Sequence, residues 1–266
     1  MNEQIADAFS RIRGRRPLLH HITNLVVMND TANLTLHLGA LPIMAHAANE
    51  VAEITQSASA LVLNLGTLTP AQVESMFIAG RKANERNIPI VLDPVGAGAS
   101  QFRTETGLDL LNQLQIAIVR GNSAEIGTLS GLGGQVRGVE SVEGVSNPIT
   151  VAQTTAQAWR SVVAITGKQD IVSDGRRVVG VNNGHPWLTT VTGTGCMATT
   201  AIAAFAAVES DPLVAAVGGL VCLGLAAERA AEEAHGPATF KVALLDQIYN
   251  LTAEQLASGA RIVALR

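Results

Sequence analysis

Aromatic side chains are nearly absent: 266 residues hold five Phe, two Trp and one Tyr. A core without large rings must rest on Ala, Val, Leu, Ile and Gly, which suits helices packed closely on a sheet. Cysteine is equally scarce. Cys196 and Cys222 show no metal-ligand spacing and no disulfide framework. There is no excess of positive charge: 18 Lys and Arg stand against 22 Asp and Glu, a net charge of -4. That removes the basic footprint of a nucleic-acid binder. The basic residues are scattered and form no block for an anionic membrane surface. The apolar stretch from Leu213 to Ala227 is short of the ~20 residues of a membrane span. It is also interrupted by Gly218, Gly219 and Gly224. The polar start, Met1 to Asp7, lacks the apolar core of a signal peptide. The expectation is a buried helix in a cytoplasmic protein with no nucleic-acid and no membrane partner.

What is present alternates. Continuous apolar runs read as strands: Pro17 to Ile22, Leu41 to Met44, Ala60 to Asn64, Ile88 to Leu92, Ile116 to Val119 and Ser161 to Thr166. Helical stretches lie between them. They include one ending near Gly14, one from Val26 to Leu38 capped by Thr23 or Asn24, and one opened by Thr69-Pro70 with Glu74. Asn49 is a candidate cap for another. Gln169 to Val181 reads as a hairpin turning at Asp174-Gly175. Residues 131–147 read as a mobile loop, either a lid or a plain insertion. The remainder after the glycine turn at 193 reads as mostly helical. Such alternation predicts an α/β fold with a mainly parallel sheet and helices on both faces. With no internal repeat and no linker, one domain over 1–266 is expected.

In sheets of this kind ligands sit beyond the carboxyl ends of the strands. Asn24, Asn64, Asp93, Arg120, Asn122, Glu125 and Thr166 all fall there. Thr192-Gly193-Thr194-Gly195-Cys196-Met197 runs into a small-residue helix. The first turn of a helix has N–H groups without internal partners, so a glycine turn there is a ready anion site. A turn that only lets a helix approach a sheet gives the same pattern. Asp93 can hold magnesium directly or through water, or simply serve a turn. Asn122 and Glu125 share one face of a helix start; they suit a hydrated magnesium beside a triphosphate, or a capping box. Arg120 can pair with phosphate. Thr166 can meet a nucleotide or merely close a turn. At a helix start the Cys196 thiol can fall below its usual ~8.5. It reads as nucleophile, weak base or packing residue. His20 or His21 could serve it, or be structural. Met44 can wall an apolar pocket or belong to the core.

Together these pieces resemble the ribokinase-like superfamily of small-molecule kinases, whose fold is a three-layer sandwich. Asn122-Ser123-Ala124-Glu125 is similar to its Asn-x-x-Glu magnesium motif. Gly193-Thr194-Gly195-Cys196 is similar to its Gly-x-Gly-Asp anion hole, with Cys in place of the Asp base. His21 to Asn24, Ala40 to Ala45, Leu92 to Ala97 and Val191 to Cys196 resemble the hydroxyethylthiazole kinase branch. The likeness runs over essentially the whole chain. It implies ATP- and Mg2+-dependent phosphorylation of 4-methyl-5-(2-hydroxyethyl)thiazole in thiamine salvage. It also implies roles for single residues. Met44 and Gly193 contact the thiazole, with Asn24 nearby. Arg120 and Thr166 contact ATP, with Asn122 and Gly195 beside its phosphates. Asp93 and Glu125 organise magnesium, and Cys196 lies at the reacting hydroxyl. A homotrimer with sites at subunit interfaces is implied too. The competing readings are a kinase for hydroxymethylpyrimidine or another small alcohol, a thiol hydrolase or transferase using Cys196, and a nucleotide sensor without turnover.

Overall fold

The computed structural model describes residues 1–132, 135–137, 140–143 and 147–265. The chain begins with α1 (Asn2–Arg15), β1 (Leu18–Ile22), α2 (Met28–Leu38), β2 (Leu41–Ile43) and α3 (Val51–Ser57). It continues with β3 (Ala60–Asn64), α4 (Pro70–Glu85), β4 (Ile90–Asp93), α5 (Gln101–Gln113), β5 (Ile118–Asn122) and α6 (Ser123–Ser130). A short antiparallel pair follows, β6 (Gln135–Arg137) and β7 (Glu140–Glu143). Then come α7 (Pro148–Trp159), β8 (Val162–Thr166), β9 (Asp170–Ser173), β10 (Val178–Val181) and a 3-10 helix at Pro186–Thr190. The chain finishes with α8 (Thr194–Ala206), α9 (Pro212–Glu233), α10 (Pro237–Asn250), α11 (Ala253–Gly259) and β11 (Ile262–Leu265).

Nine strands form one sheet in the order β11-β10-β9-β8-β5-β4-β3-β1-β2. From β2 to β8 every pairing is parallel; β8-β9, β9-β10 and β10-β11 are antiparallel. Successive side chains of a strand point to opposite faces. Val62, Val91 and Ile118 enter a core with α1, α2, α8, α9 and α10. Leu61, Leu63, Leu92 and Val119 enter the opposite core with α4, α5 and α7. Both faces are covered, which is why these strands read as unbroken apolar runs. The expected three layers are present.

Several local expectations are corrected. β2 is an edge strand, not a buried one, and Met44 after it is half-buried. Pro42 cannot donate to a ladder, so an edge is where it fits. α2 starts at Met28. Asn24 instead accepts the N–H of Val26 (3.1 Å) and Val27 (3.2 Å), closing the turn before the helix. Thr69 does cap α4, with Gln72 rather than Glu74 as its capping-box partner. The residue before α3 is Glu50, with no side-chain cap, so Asn49 plays no such part. α9 has 22 residues, long enough to cross a membrane, against the shorter stretch read from sequence. Most of it is buried inside the fold, as for a core helix. The described part of 131–147 contains the β6-β7 pair; the rest of that stretch, and any lid in it, lies outside the described residues.

Candidate active site

Because β1, β3, β4, β5 and β8 lie side by side and parallel, their carboxyl ends form one row. The polar residues ending each run therefore meet. Register places Asn64 opposite Asp93 and Asn122 opposite Thr166. Asp93 is fully buried. Its Oδ2 accepts from Asn64 Nδ2 (2.9 Å) and Thr199 Oγ1 (2.8 Å). Among the described residues its Oδ1 has no hydrogen-bond partner, and it lies 3.6 Å from Arg120 Nη1. Burial pushes the Asp93 carboxyl upward, while Arg120 and the hydrogen bonds pull it back. Arg120 Nη2 donates to Thr166 Oγ1 at 2.6 Å, which aims the guanidinium along the row.

Glu125 belongs to the capping box that opens α6. One oxygen accepts the N–H of Asn122 (2.8 Å) and the other that of Gly96 (2.8 Å). Burial first, then the charge of Asp93, raises its carboxyl to about 7. The capping-box alternative read from Asn-x-x-Glu is therefore present, and the charges of Asp93 and Arg120 both act on the Glu125 carboxyl.

Gly193 precedes α8 at φ 91, a conformation that favours glycine. The first helical bond runs from Met197 N–H to Gly193 O (2.8 Å), and no side chain caps the helix. The N–H groups of Thr194, Gly195 and Cys196 thus open the helix without an internal acceptor. A Cβ on Gly195 would sit 2.7 Å from Arg120 Nη1, so only glycine lets the guanidinium lie against this turn. The helix end and Arg120 share a cavity of about 430 Å³ with Asn122, Glu125 and Thr166. Anions favour such a combination of helix dipole, free N–H groups and guanidinium.

Cys196 corrects one expectation. Its thiol is pushed up to about 12, by burial first and then by Asp93, and the helix end does not make it a thiolate. The sulfur accepts from Asn64 Nδ2 (3.2 Å) and, longer, from Asn24 Nδ2 (3.6 Å). Asn24 also donates to Asn64 Oδ1 (2.8 Å). The histidines serve elsewhere: His20 bridges Thr55 and the Ala45 carbonyl, and His21 meets Thr35. Burial lowers both, His21 to about 3. Met44 does not line the cavity.

Two residues escaped the sequence reading. Thr199 donates to Asp93 from the second turn of α8; as one of three threonines in that helix, with Thr194 and Thr200, it carried no distinguishing signal. Asp170 lines the cavity and accepts the Gly167 N–H (2.9 Å), holding the β8-β9 turn; burial raises it to about 6. Nothing in the hairpin pattern distinguished it.

The fold defines a class. A ribokinase-like superfamily protein from Enterococcus faecalis V583 superposes with a TM-score of 0.66 at 11% identity, covering 93% of this chain and 89% of that one. That likeness shows the fold alone. The sequence profile of the hydroxyethylthiazole kinase family matches residues 9–254. A hydroxyethylthiazole kinase of Roseiflexus sp. (strain RS-1) is 67% identical over 263 residues, 99% of this chain and 97% of that protein. The structure of hydroxyethylthiazole kinase from Pyrococcus horikoshii OT3 is 44% identical with a TM-score of 0.91, covering 98% and 99% of the two chains. The chain belongs to the hydroxyethylthiazole kinase family.

Proposed function

We propose that this chain, as one kinase domain, transfers the γ-phosphoryl group of ATP to the hydroxyl of 4-methyl-5-(2-hydroxyethyl)thiazole in thiamine salvage. Family membership supports the acceptor. The observation that carries the chemistry is the meeting of Arg120, Glu125 and the uncapped start of α8 around one cavity, with Asp93 buried behind Arg120 at 3.6 Å. Arg120, Thr166, Asn122 and Gly195 hold the triphosphate. Gly193 faces the thiazole from the cavity, while Asn24 and Met44, which lie outside its lining, take the roles that family membership suggests for them on the acceptor side. The helix-start N–H groups and Arg120 stand ready for the charge that spreads over the phosphoryl oxygens in a loose transition state.

Magnesium fits the residues present. Asp93 Oδ1 is a buried carboxylate oxygen without a hydrogen-bond partner. Both Glu125 oxygens are steadied by backbone N–H groups, with lone pairs remaining. Among the described residues no cluster of three His, Cys, Asp or Glu side chains could hold a metal. When bound, magnesium would neutralise charge on the phosphates.

The acceptor side is proposed to be completed by a second copy in a homotrimer. Leu25, Val26 and Leu36, with Val242 and Tyr249 of α10, are exposed apolar residues around α2, on the Asn24 side of the site. A cytoplasmic location is part of the same reading.

Cys196 acts here as a neutral group that shapes the acceptor pocket. A loose transition state asks little of a base. Cys196→Ala is expected to lose less than the roughly 10²–10⁴-fold of a fully expressed general base. Cys196→Asp is expected to remain a working kinase, since Asn64 and Asn24 already present N–H donors there. Turnover assays check both. Two dead variants, with an adduct on wild-type Cys196 in intact-protein mass spectra, would instead favour a thiol transferase. The function itself is tested by ADP release: it is expected with the thiazole alcohol and not with hydroxymethylpyrimidine. The opposite preference would overturn the acceptor.

A further inference from the structure

The turn after β4 is tied to α5 by a side chain that the site described above does not use. Arg103 stands in the first turn of α5, half-buried. Its Nη1 donates to the Val95 carbonyl at 3.0 Å. The N–H of the next residue, Gly96, donates to Glu125 Oε1 at 2.8 Å. That carbonyl and that N–H belong to one peptide unit. The unit is trans, so the two groups point in opposite directions. Arg103 and Glu125 therefore stand on opposite edges of a single peptide plane, the cation at its oxygen and the carboxylate at its hydrogen. Val95 and Glu125 both line the cavity.

Gly96 is what lets the guanidinium come so close. It sits at φ 74, and a Cβ there would run into Arg103 Nη1. The rest of the loop is fixed without the guanidinium. Ala97 N–H reaches Pro94 O (2.9 Å), and Gly98 N–H donates to Thr104 Oγ1 (2.9 Å). Among the described residues no carboxylate lies within ion-pair distance of Arg103.

The two oxygens of Glu125 are held differently. Oε2 is held inside its own helix start, by Asn122 N–H, whereas Oε1 depends on the loop. Hydrogen bonds in series polarise one another, and a charged donor strengthens the first of them. A guanidinium on the Val95 carbonyl makes the Gly96 N–H a better donor to a carboxylate. It also keeps the peptide from turning its oxygen toward Glu125, which would set two negative groups face to face.

We infer that Arg103 is a positioning residue for Glu125: through the Val95-Gly96 peptide it holds the carboxylate in the orientation that organises magnesium. The inference rests on the magnesium reading of Glu125 above. The test uses the full chain labelled with 15N-glycine, as wild type, Arg103→Ala and Arg103→Lys. Amide hydrogen exchange followed by NMR reports the opening of single hydrogen bonds. In Arg103→Ala the Gly96 amide is expected to exchange about tenfold faster or more, since a hydrogen bond from a charged group is worth at least that factor. The Gly98 amide, held by Thr104, is expected to keep its wild-type rate. Arg103→Lys retains a charged donor and is expected to restore most of the Gly96 protection. Arg103→Met, which keeps the stem without a donor, gives the same readout should the alanine variant not fold. The magnesium concentration for half-maximal thiazole-dependent ADP release is expected to rise about tenfold in Arg103→Ala, the lower end of the cost of losing an outer group that orients a metal site. The KM for the thiazole alcohol is expected to stay unchanged. An unchanged Gly96 rate would overturn the inference, and so would Gly96 and Gly98 accelerated together, which makes Arg103 a general brace of the loop. A wild-type magnesium requirement in Arg103→Ala, when Glu125→Gln raises it, would overturn it as well. Failure of the underlying reading looks different: Glu125→Gln itself keeps the wild-type magnesium requirement, and the two amide rates then decide whether Arg103 holds Glu125.

Discussion

Glu125→Gln is expected to lose roughly 10–100-fold in magnesium-dependent turnover, the usual cost of removing a group that orients a metal and its waters. Each Glu125 oxygen accepts one backbone N–H, from Asn122 and from Gly96. A glutamine has one oxygen for those two donors. Its amide must face one of them, and a buried donor left unmet costs about 1–3 kcal/mol. From the sequence, such a variant would be expected to fold with little loss. The capping box changes that expectation to a measurable loss of stability. Thermal unfolding gives the stability term, and steady-state rates over a magnesium titration give the other. Wild-type turnover at ordinary magnesium, in a variant with a lowered Tm, would leave Glu125 as a cap alone.

Arg120→Ala is expected to have the largest effect on turnover. The guanidinium faces Asp93 at 3.6 Å and donates to Thr166 at 2.6 Å, and it lies against Gly195. Its charge also holds down the carboxyls of Glu125 and Asp170. Removing it takes away the proposed phosphate contact and the guanidinium that faces the buried Asp93. A preorganised donor of this kind is worth about 10²–10³-fold in rate. Because Asp93 is fully buried, its proton uptake absorbs part of the stability loss. The expected result is a fall in kcat/KM of about that size, a raised KM for ATP and an unchanged affinity for the thiazole alcohol. Equal losses for both substrates would point to a collapsed row rather than a phosphate contact.

Much of this could be read from the chain because the parallel strands are buried on both faces. Each apolar run then stops at a polar residue, and Asn64, Asp93, Arg120 and Thr166 mark the ends unmistakably. What could not be read depends on distant partners. β11 is a short edge strand with two exposed residues, Val263 and Ala264, and it pairs with β10 across α8 to α11. Nothing near residue 262 announces that. The state of Cys196, left open in the sequence, depends on distant partners too. A local rule, the helix N-terminus, lowers a thiol. Burial and the carboxylate of Asp93, which lies 103 positions earlier in sequence, outweigh it. Thr199 was hidden because a threonine in a helix most often bonds back to its own turn. Here it also does so, to Gly195 O at 3.4 Å, while its shorter bond goes to Asp93.

The most direct measurement follows the phosphate. The protein is mixed with magnesium, ATP labelled in its γ-phosphoryl group and the thiazole alcohol; products and intact protein are then weighed by mass spectrometry. The expected result is one labelled phosphate ester on the thiazole hydroxyl for each ADP, with no label on the protein at any time. ADP without the ester, or label carried on Cys196, would contradict direct transfer between ATP and the alcohol at the Arg120-Gly195 end of the cavity.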